Sequence, residues 1–65
     1  MDLQTVVDRV KEVSDHSRND EYAHELEDDL YKEVLSAIAN GAENPSGLAR
    51  EVLKTKDLAF SRWYA

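Results

Sequence analysis

A chain of 65 residues has room for one thin hydrophobic core, which predicts a single domain spanning residues 1–65. It contains no cysteine, so disulfides and thiolate metal sites are excluded. Its 14 acidic and 8 basic side chains give a net charge of −6, which disfavours binding to nucleic acid and to anionic lipid surfaces.

The charge is distributed unevenly along the chain. From Met1 to Glu43 there are 12 acidic and 4 basic side chains, a net of −8, whereas from Asn44 to Ala65 there are 2 acidic and 4 basic, a net of +2. No apolar run approaches the ~20 residues that a bilayer span requires. Residues 1–5 show neither the basic start nor the apolar run of a secretory signal. We therefore expect a cytoplasmic protein with no membrane role, whose charged halves meet different surfaces.

Apolar residues at spacings of three and four predict a first helix over about residues 3–14. Its apolar side is formed by Leu3, Val6, Val7, Val10 and Val13. Valine loses side-chain freedom in a helix, so this segment needs packing to be stable. The pattern does not show whether it packs on its own chain or on a neighbour.

The clearest amphipathic pattern predicts a second helix over about residues 20–40, after a polar break at residues 14–20. Asn19 or Asp20 is suited to cap its start, and Asn40-Gly41 supplies the expected stop. The apolar side consists of Tyr22, Ala23, Leu26, Leu30, Val34, Ala37 and Ile38.

Asn44-Pro45 predicts the start of a third helix, because proline is tolerated at the first helical position. A turn or weak helix end at residues 54–57 then separates this helix from a short fourth helix near the end of the chain. The prediction is an all-α fold, a small three- to four-helix bundle. Its expected core consists of Val6, Val10, Leu26, Leu30, Val34, Ile38, Leu48, Val52, Leu53, Phe60 and Trp63. We also expect the aromatic end, Trp63 and Tyr64, to be docked, since aromatic side chains bury large areas.

The acidic stretch of the second helix is the main candidate binding site. At helical spacing, carboxylates three and four residues apart repel one another at a small energetic cost, so their accumulation is either tolerated or used. One interpretation is a face that docks on a basic surface of a partner protein. The other is an ordinary solvated helix face that keeps the protein soluble. The candidate partner-binding residues are Glu21, Glu25, Glu27, Asp28 and Asp29.

No catalytic, cofactor or metal site is expected. Glu21-x-x-His24 has the spacing of the carboxylate and imidazole in helical di-iron bundles, but such a site needs two of these pairs and two further carboxylates. His16 adds nothing to it. Gly41 and Gly47 are the only glycines, so no glycine-rich phosphate loop exists. We therefore expect a non-enzymatic protein without metal or cofactor.

Residues 48–63, which open with Leu48-Ala49-Arg50 and end with Ser61-Arg62-Trp63, resemble the helix-turn-helix of small DNA-binding regulators. Leu53 stands where those proteins commonly have a glycine. The resemblance implies a DNA-binding alternative, to which the net charge of −6 is unfavourable. Its candidate nucleic-acid-binding residues are Arg50, Lys54, Lys56 and Arg62.

Two further segments, residues 26–31 (Leu-Glu-Asp-Asp-Leu-Tyr) and 60–65 (Phe-Ser-Arg-Trp-Tyr-Ala), resemble small acidic helical proteins of bacteriophages, especially those of actinobacteria. The resemblance implies binding to a host protein and assigns no residue a role. Our leading expectation is a protein-binding module that modulates or inhibits a partner with a basic surface, which could itself bind nucleic acid. A structural homo-oligomer, in which the acidic half of one copy meets the basic half of the next, remains the third alternative.

Overall fold

The computed structural model describes residues 1–62, which form three α-helices and a 3-10 helix that continues the third. Helix α1 is Leu3–Asp15, α2 is Asp20–Ala39 and α3 is Pro45–Val52, and the 3-10 helix is Leu53–Asp57. No strand occurs within residues 1–62. The all-α prediction is confirmed, and the predicted bounds of the first two helices differ from the observed ones by one residue.

Each α-helix begins with a side-chain cap that accepts a hydrogen bond from a free backbone amide of the first turn, as expected from the sequence for α2 and α3. The caps are Asp2, Asn19 and Asn44, which accept from the amides of Thr5, Tyr22 and Gly47 at 2.9, 3.1 and 3.2 Å. Local sequence therefore fixes where all three helices start.

Helix α2 ends at a glycine with a left-handed backbone. Gly41 has a φ of 86°, its amide donates to the carbonyl of Ile38 (3.1 Å), and the amide of Ala42 donates to the carbonyl of Ala37 (3.0 Å). These two bonds form the Schellman motif that satisfies the last carbonyls of a helix. The chain then continues into α3, which contacts α2.

The core lies where the three helices meet. Its buried residues are Val6, Leu30, Val34, Leu48 and Val52, with Val10, Tyr31, Ile38 and Ala42 packed against them. An ion pair between Arg9 of α1 and Glu33 of α2 joins the first two helices at the surface. The valine side of α1 therefore packs on its own chain, which the sequence had left open.

Three of the expected core residues lie outside the core cluster. Leu53 is 50% exposed, because it follows the buried Val52 by one helical step of about 100° and so points away from the core. Leu26 and Phe60 are only partly buried and, unlike the partly buried Val10 and Ile38, are not among the residues packed against the cluster. The 3-10 helix Leu53–Asp57 lies where a turn or weak helix end was predicted, and residues 58–62, within the segment predicted as a short fourth helix, are not helical. The predicted positions of Trp63 and Tyr64 lie outside the described residues.

Candidate functional site

Four carboxylates form one exposed face on the N-terminal half of α2. At about 100° per residue, Glu21, Glu25, Asp28 and Asp29 occupy an arc of about 100° on the helix, and all four are exposed. Glu21, Glu25 and Asp29 make no ion pair within residues 1–62. We call these four residues the acidic face. It presents negative charge that is not neutralised by the described part of the chain.

The fifth candidate, Glu27, does not belong to this face. Glu27 is only 3% exposed. Because consecutive residues of a helix point about 100° apart, its side chain points toward the interior of the fold while that of Asp28 points toward solvent. There its carboxylate receives two hydrogen bonds from Arg62, from Nε to Oε1 at 2.9 Å and from Nη2 to Oε2 at 3.0 Å. Including Glu27 in an exposed docking surface was wrong, since a carboxylate held this way is not accessible to a partner.

Arg62 also contacts backbone carbonyls and an aromatic ring in the segment that follows α3. Arg62 Nη2 donates to the carbonyl of Thr55 (2.7 Å) and Nη1 to the carbonyl of Phe60 (3.1 Å), and the guanidinium lies 3.9 Å from the centre of the Phe60 ring. The buried hydroxyl of Thr55 donates to the carbonyl of Val52 (3.0 Å) and pairs with the hydroxyl of Tyr31 (2.9 Å). We call the pair Glu27–Arg62 the clamp, because it holds the segment after the 3-10 helix against α2.

The clamp shifts the pKa values of both its members. Burial alone would raise the pKa of Glu27, but hydrogen bonding by Arg62 and Thr55, together with the positive charge of Arg62 and a smaller effect of His24, outweighs burial and holds that pKa below its usual value. The hydrogen bonds to Glu27 in turn raise the pKa of Arg62. The pair is therefore ionised at neutral pH, and its role is to position α2 and the segment packed on it.

The four basic candidates for nucleic-acid binding are not equally available. Arg62 is engaged by Glu27, and Lys54 Nζ lies 2.8 Å from the carboxylate of Glu51. Arg50 and Lys56 are exposed and make no ion pair within residues 1–62. In addition, no second helix follows a turn in residues 53–62, so the helix-turn-helix interpretation of this segment is not supported by the described structure.

His24 lies beside the acidic face but is itself buried. His24 is 8% exposed, and its Nε2 lies 3.5 Å from the Asp28 carboxylate. Within residues 1–62 no group of three or more His, Asp or Glu side chains is arranged to hold a metal ion. The pair Glu21 and His24 is therefore not part of a larger ligand cluster in the described residues. Neither the buried His24 nor the buried Thr55 was expected from the sequence.

Comparison with protein-family models, curated proteins and solved structures finds no match to this chain. Among the helices of residues 1–62, none combines the length and the apolar character needed to cross a membrane.

Proposed function

We propose that the protein is a non-enzymatic binding module whose acidic face docks on a basic surface of a partner protein in the cytoplasm. The observation that supports this most directly is the exposure of Glu21, Glu25, Asp28 and Asp29 within one arc of α2. Four exposed carboxylates on one helix face attract a patch of lysine and arginine side chains and accelerate the encounter with it.

The clamp supports the proposal because it makes the acidic face a fixed feature. The Glu27 carboxylate binds Arg62 on the buried side of α2, while the neighbouring Asp28 and Asp29 are exposed. A face whose supporting helix is held by buried contacts loses little conformational freedom when it binds, which favours affinity.

Basic surfaces that bind nucleic acid are the natural target for such a face, because a row of carboxylates presents negative charge as a phosphate backbone does. Occupying that surface would modulate or inhibit the partner. Modulation of a host factor by a phage protein, which the sequence resemblance implied, is one setting in which this mode would operate.

The proposal is tested by reversing charge on the face while leaving Asp28, which contacts His24, unchanged. The variant Glu21→Lys/Glu25→Lys/Asp29→Lys changes the net charge by three times +2, from −6 to 0. The matched control Asp8→Lys/Glu43→Lys/Asp57→Lys makes the same change at exposed positions outside α2. Both are compared with the wild type in affinity capture from lysate of the source organism, with and without nuclease.

We expect the wild type and the control to retain a protein partner that resists nuclease and is released by salt, and the α2 variant to lose it. Circular dichroism checks that all three are folded. Retention of the partner by the folded α2 variant would exclude the acidic face. If the captured material disappears after nuclease treatment, the DNA-binding alternative gains support, and Arg50→Ala/Lys56→Ala is then the variant to test.

A further inference from the structure

The turn that ends α2 contains the asparagine–glycine pair of the chain, Asn40-Gly41, and both residues are exposed. An asparagine side chain can react with the backbone nitrogen of the next residue, which attacks Cγ and closes a five-membered imide. A side chain on that next residue hinders the attack, and glycine has none. Apart from chain neighbours, no described atom lies within 4 Å of the position that a Cβ of Gly41 would occupy. The pair is therefore sterically open to this reaction.

The closed turn holds the two reacting groups apart. The backbone angle ψ of Asn40 is 13°, so the nitrogen of Gly41 nearly eclipses Asn40's own nitrogen about the Cα–C bond and lies away from the Asn40 side chain. That side chain donates from Nδ2 to the carbonyl of Ser36 (2.9 Å), and the amide of Gly41 donates to the carbonyl of Ile38 (3.1 Å). The imide can therefore form only when ψ rotates and both hydrogen bonds break.

This opening does not require the protein to unfold. Residues 40–44 connect α2 to α3, and all of them are exposed except Ala42, which is partly buried and packs against the core. An exposed connection with few buried contacts opens at a lower free energy than the core around it. The folded chain therefore samples the reactive geometry at Asn40 while its three helices stay packed.

We propose that Asn40 is a site of spontaneous deamidation in the folded protein, reached through local opening of the turn at Asn40-Gly41. The Gly41 nitrogen loses its proton to hydroxide and bonds to Cγ of Asn40, the bond from Cγ to Nδ2 breaks, and Nδ2 leaves as ammonia. Water then hydrolyses either carbonyl of the imide, which gives aspartate or isoaspartate. One water is consumed and one ammonia is released, with no oxidation or reduction. The net charge of −6 gains one negative charge.

The products weaken the end of α2. Neither has the side-chain N–H that Asn40 donates to the carbonyl of Ser36. Aspartate places its carboxylate at the C-terminal end of the helix, where the unpaired carbonyls already carry partial negative charge. Isoaspartate lengthens the main chain between residues 40 and 41 by one atom. The modification thus loosens the turn that leads into α3, and it goes beyond the proposed docking function without depending on it.

The other two asparagines of the chain are internal controls for the test. Asn44 precedes Pro45, whose nitrogen has no hydrogen to lose and cannot close the imide. Asn19 precedes Asp20, whose Cβ hinders the attack. All three asparagines are exposed, so a difference between them does not come from access of solvent.

The first test incubates the purified, folded chain at neutral and at mildly alkaline pH. It is then digested at mildly acidic pH, and mass spectrometry with fragmentation that separates aspartate from isoaspartate measures conversion at each asparagine. We expect Asn40 to convert at least about tenfold faster than Asn19, and faster at the higher pH, while Asn44 stays unchanged. No conversion at Asn40, or equal conversion at Asn19 and Asn40, would overturn the proposal.

The second test separates local opening from unfolding of the whole chain. Arg62→Met breaks the clamp, which is remote in sequence from the turn, and raises the unfolded fraction that urea unfolding measures. If Asn40 reacts through local opening, its rate in this variant stays within about twofold of the wild-type rate. A rate that rises in proportion to the unfolded fraction would overturn local opening.

The third test measures the effect of the product. Asn40→Asp reproduces the charge of the aspartate product, and Asn40→Ala removes the side-chain hydrogen bond to Ser36 without adding charge. We expect a lower Tm for Asn40→Asp than for Asn40→Ala, because only the former places a negative charge at the C-terminal end of α2. An equal or higher Tm for Asn40→Asp would overturn the predicted weakening by charge. All three tests use purified protein without a partner, so their results are independent of the docking experiment.

Discussion

Replacing Arg62 with methionine should destabilise the protein more than any other change to an exposed or partly exposed charge. Methionine keeps an unbranched aliphatic side chain and removes the guanidinium, which leaves the Glu27 carboxylate buried without its two strong hydrogen bonds. The substitution also removes the guanidinium's hydrogen bonds to the carbonyls of Thr55 and Phe60 and its contact with the Phe60 ring, so the loss of stability measures these contacts together.

The magnitude follows from the burial of the two partners. Removing one member of a fully buried ion pair costs about 3 to 5 kcal/mol, and an exposed pair contributes about 1 kcal/mol or less. The side chain of Glu27 is 4% exposed and that of Arg62 is 33% exposed, so water can reach the site from one side. We expect a loss of about 2 to 3 kcal/mol in the free energy of unfolding, a large part of the total for a small domain.

Urea and thermal unfolding followed by circular dichroism measure this loss, which should lower Tm by roughly 10 to 20 °C. Arg50→Met is the matched control, because Arg50 is exposed and has no ion pair within residues 1–62, and it should change stability by less than about 0.5 kcal/mol. The double variant Glu27→Met/Arg62→Met removes both charges and should be more stable than Arg62→Met alone. Equal stability of Arg62→Met and the wild type would refute the reasoning.

Two further predictions concern acid stability and the end of α2. The pKa of Glu27 is lower in the folded than in the unfolded chain, so its ionisation stabilises the fold above the unfolded pKa of about 4.3, and that contribution is lost as the pH falls through the lower folded pKa. The stability advantage of the wild type over Glu27→Gln, measured by urea unfolding, should thus be constant near neutral pH and shrink below about pH 4; an advantage that grows in acid would contradict the sign of the shift. Gly41→Ala places a side chain on a backbone with φ of 86° and should cost about 1 to 2 kcal/mol, whereas Ala39→Gly, two residues earlier at the end of the same helix, should cost less. Similar losses in urea unfolding would argue against the Schellman turn.

The clamp and the acidic face are two uses of one acidic stretch. Glu27 and Asp28 are neighbours in the sequence, yet one is held inside by Arg62 and the other projects from the acidic face. The charges of Glu27 and Asp28 alone could not show which of the two is buried, because that depends on what packs against each side of α2. Helical spacing did contain a signal: Glu27 is three residues before the buried Leu30 and four after Ala23, which places it on the apolar side.

Local patterns were sufficient for the elements themselves. The asparagine caps at residues 19 and 44, the proline after the second of them and the stop at Asn40-Gly41 act through hydrogen bonds and backbone angles within a few residues. Their consequences do not depend on distant parts of the chain, so the helix bounds and the all-α fold could be predicted.

Contacts between distant segments could not be predicted in the same way. The exposure of Leu53, the burial of Thr55 and the pairing of Glu27 with Arg62, 35 positions later, all depend on how α3 and the 3-10 helix pack on α2. The sequence by itself determined which residues form helices and that the N-terminal half carries the negative charge. Only the tertiary structure decided which carboxylates stay outside and which leucines are exposed, because these properties arise from the neighbours that folding brings together.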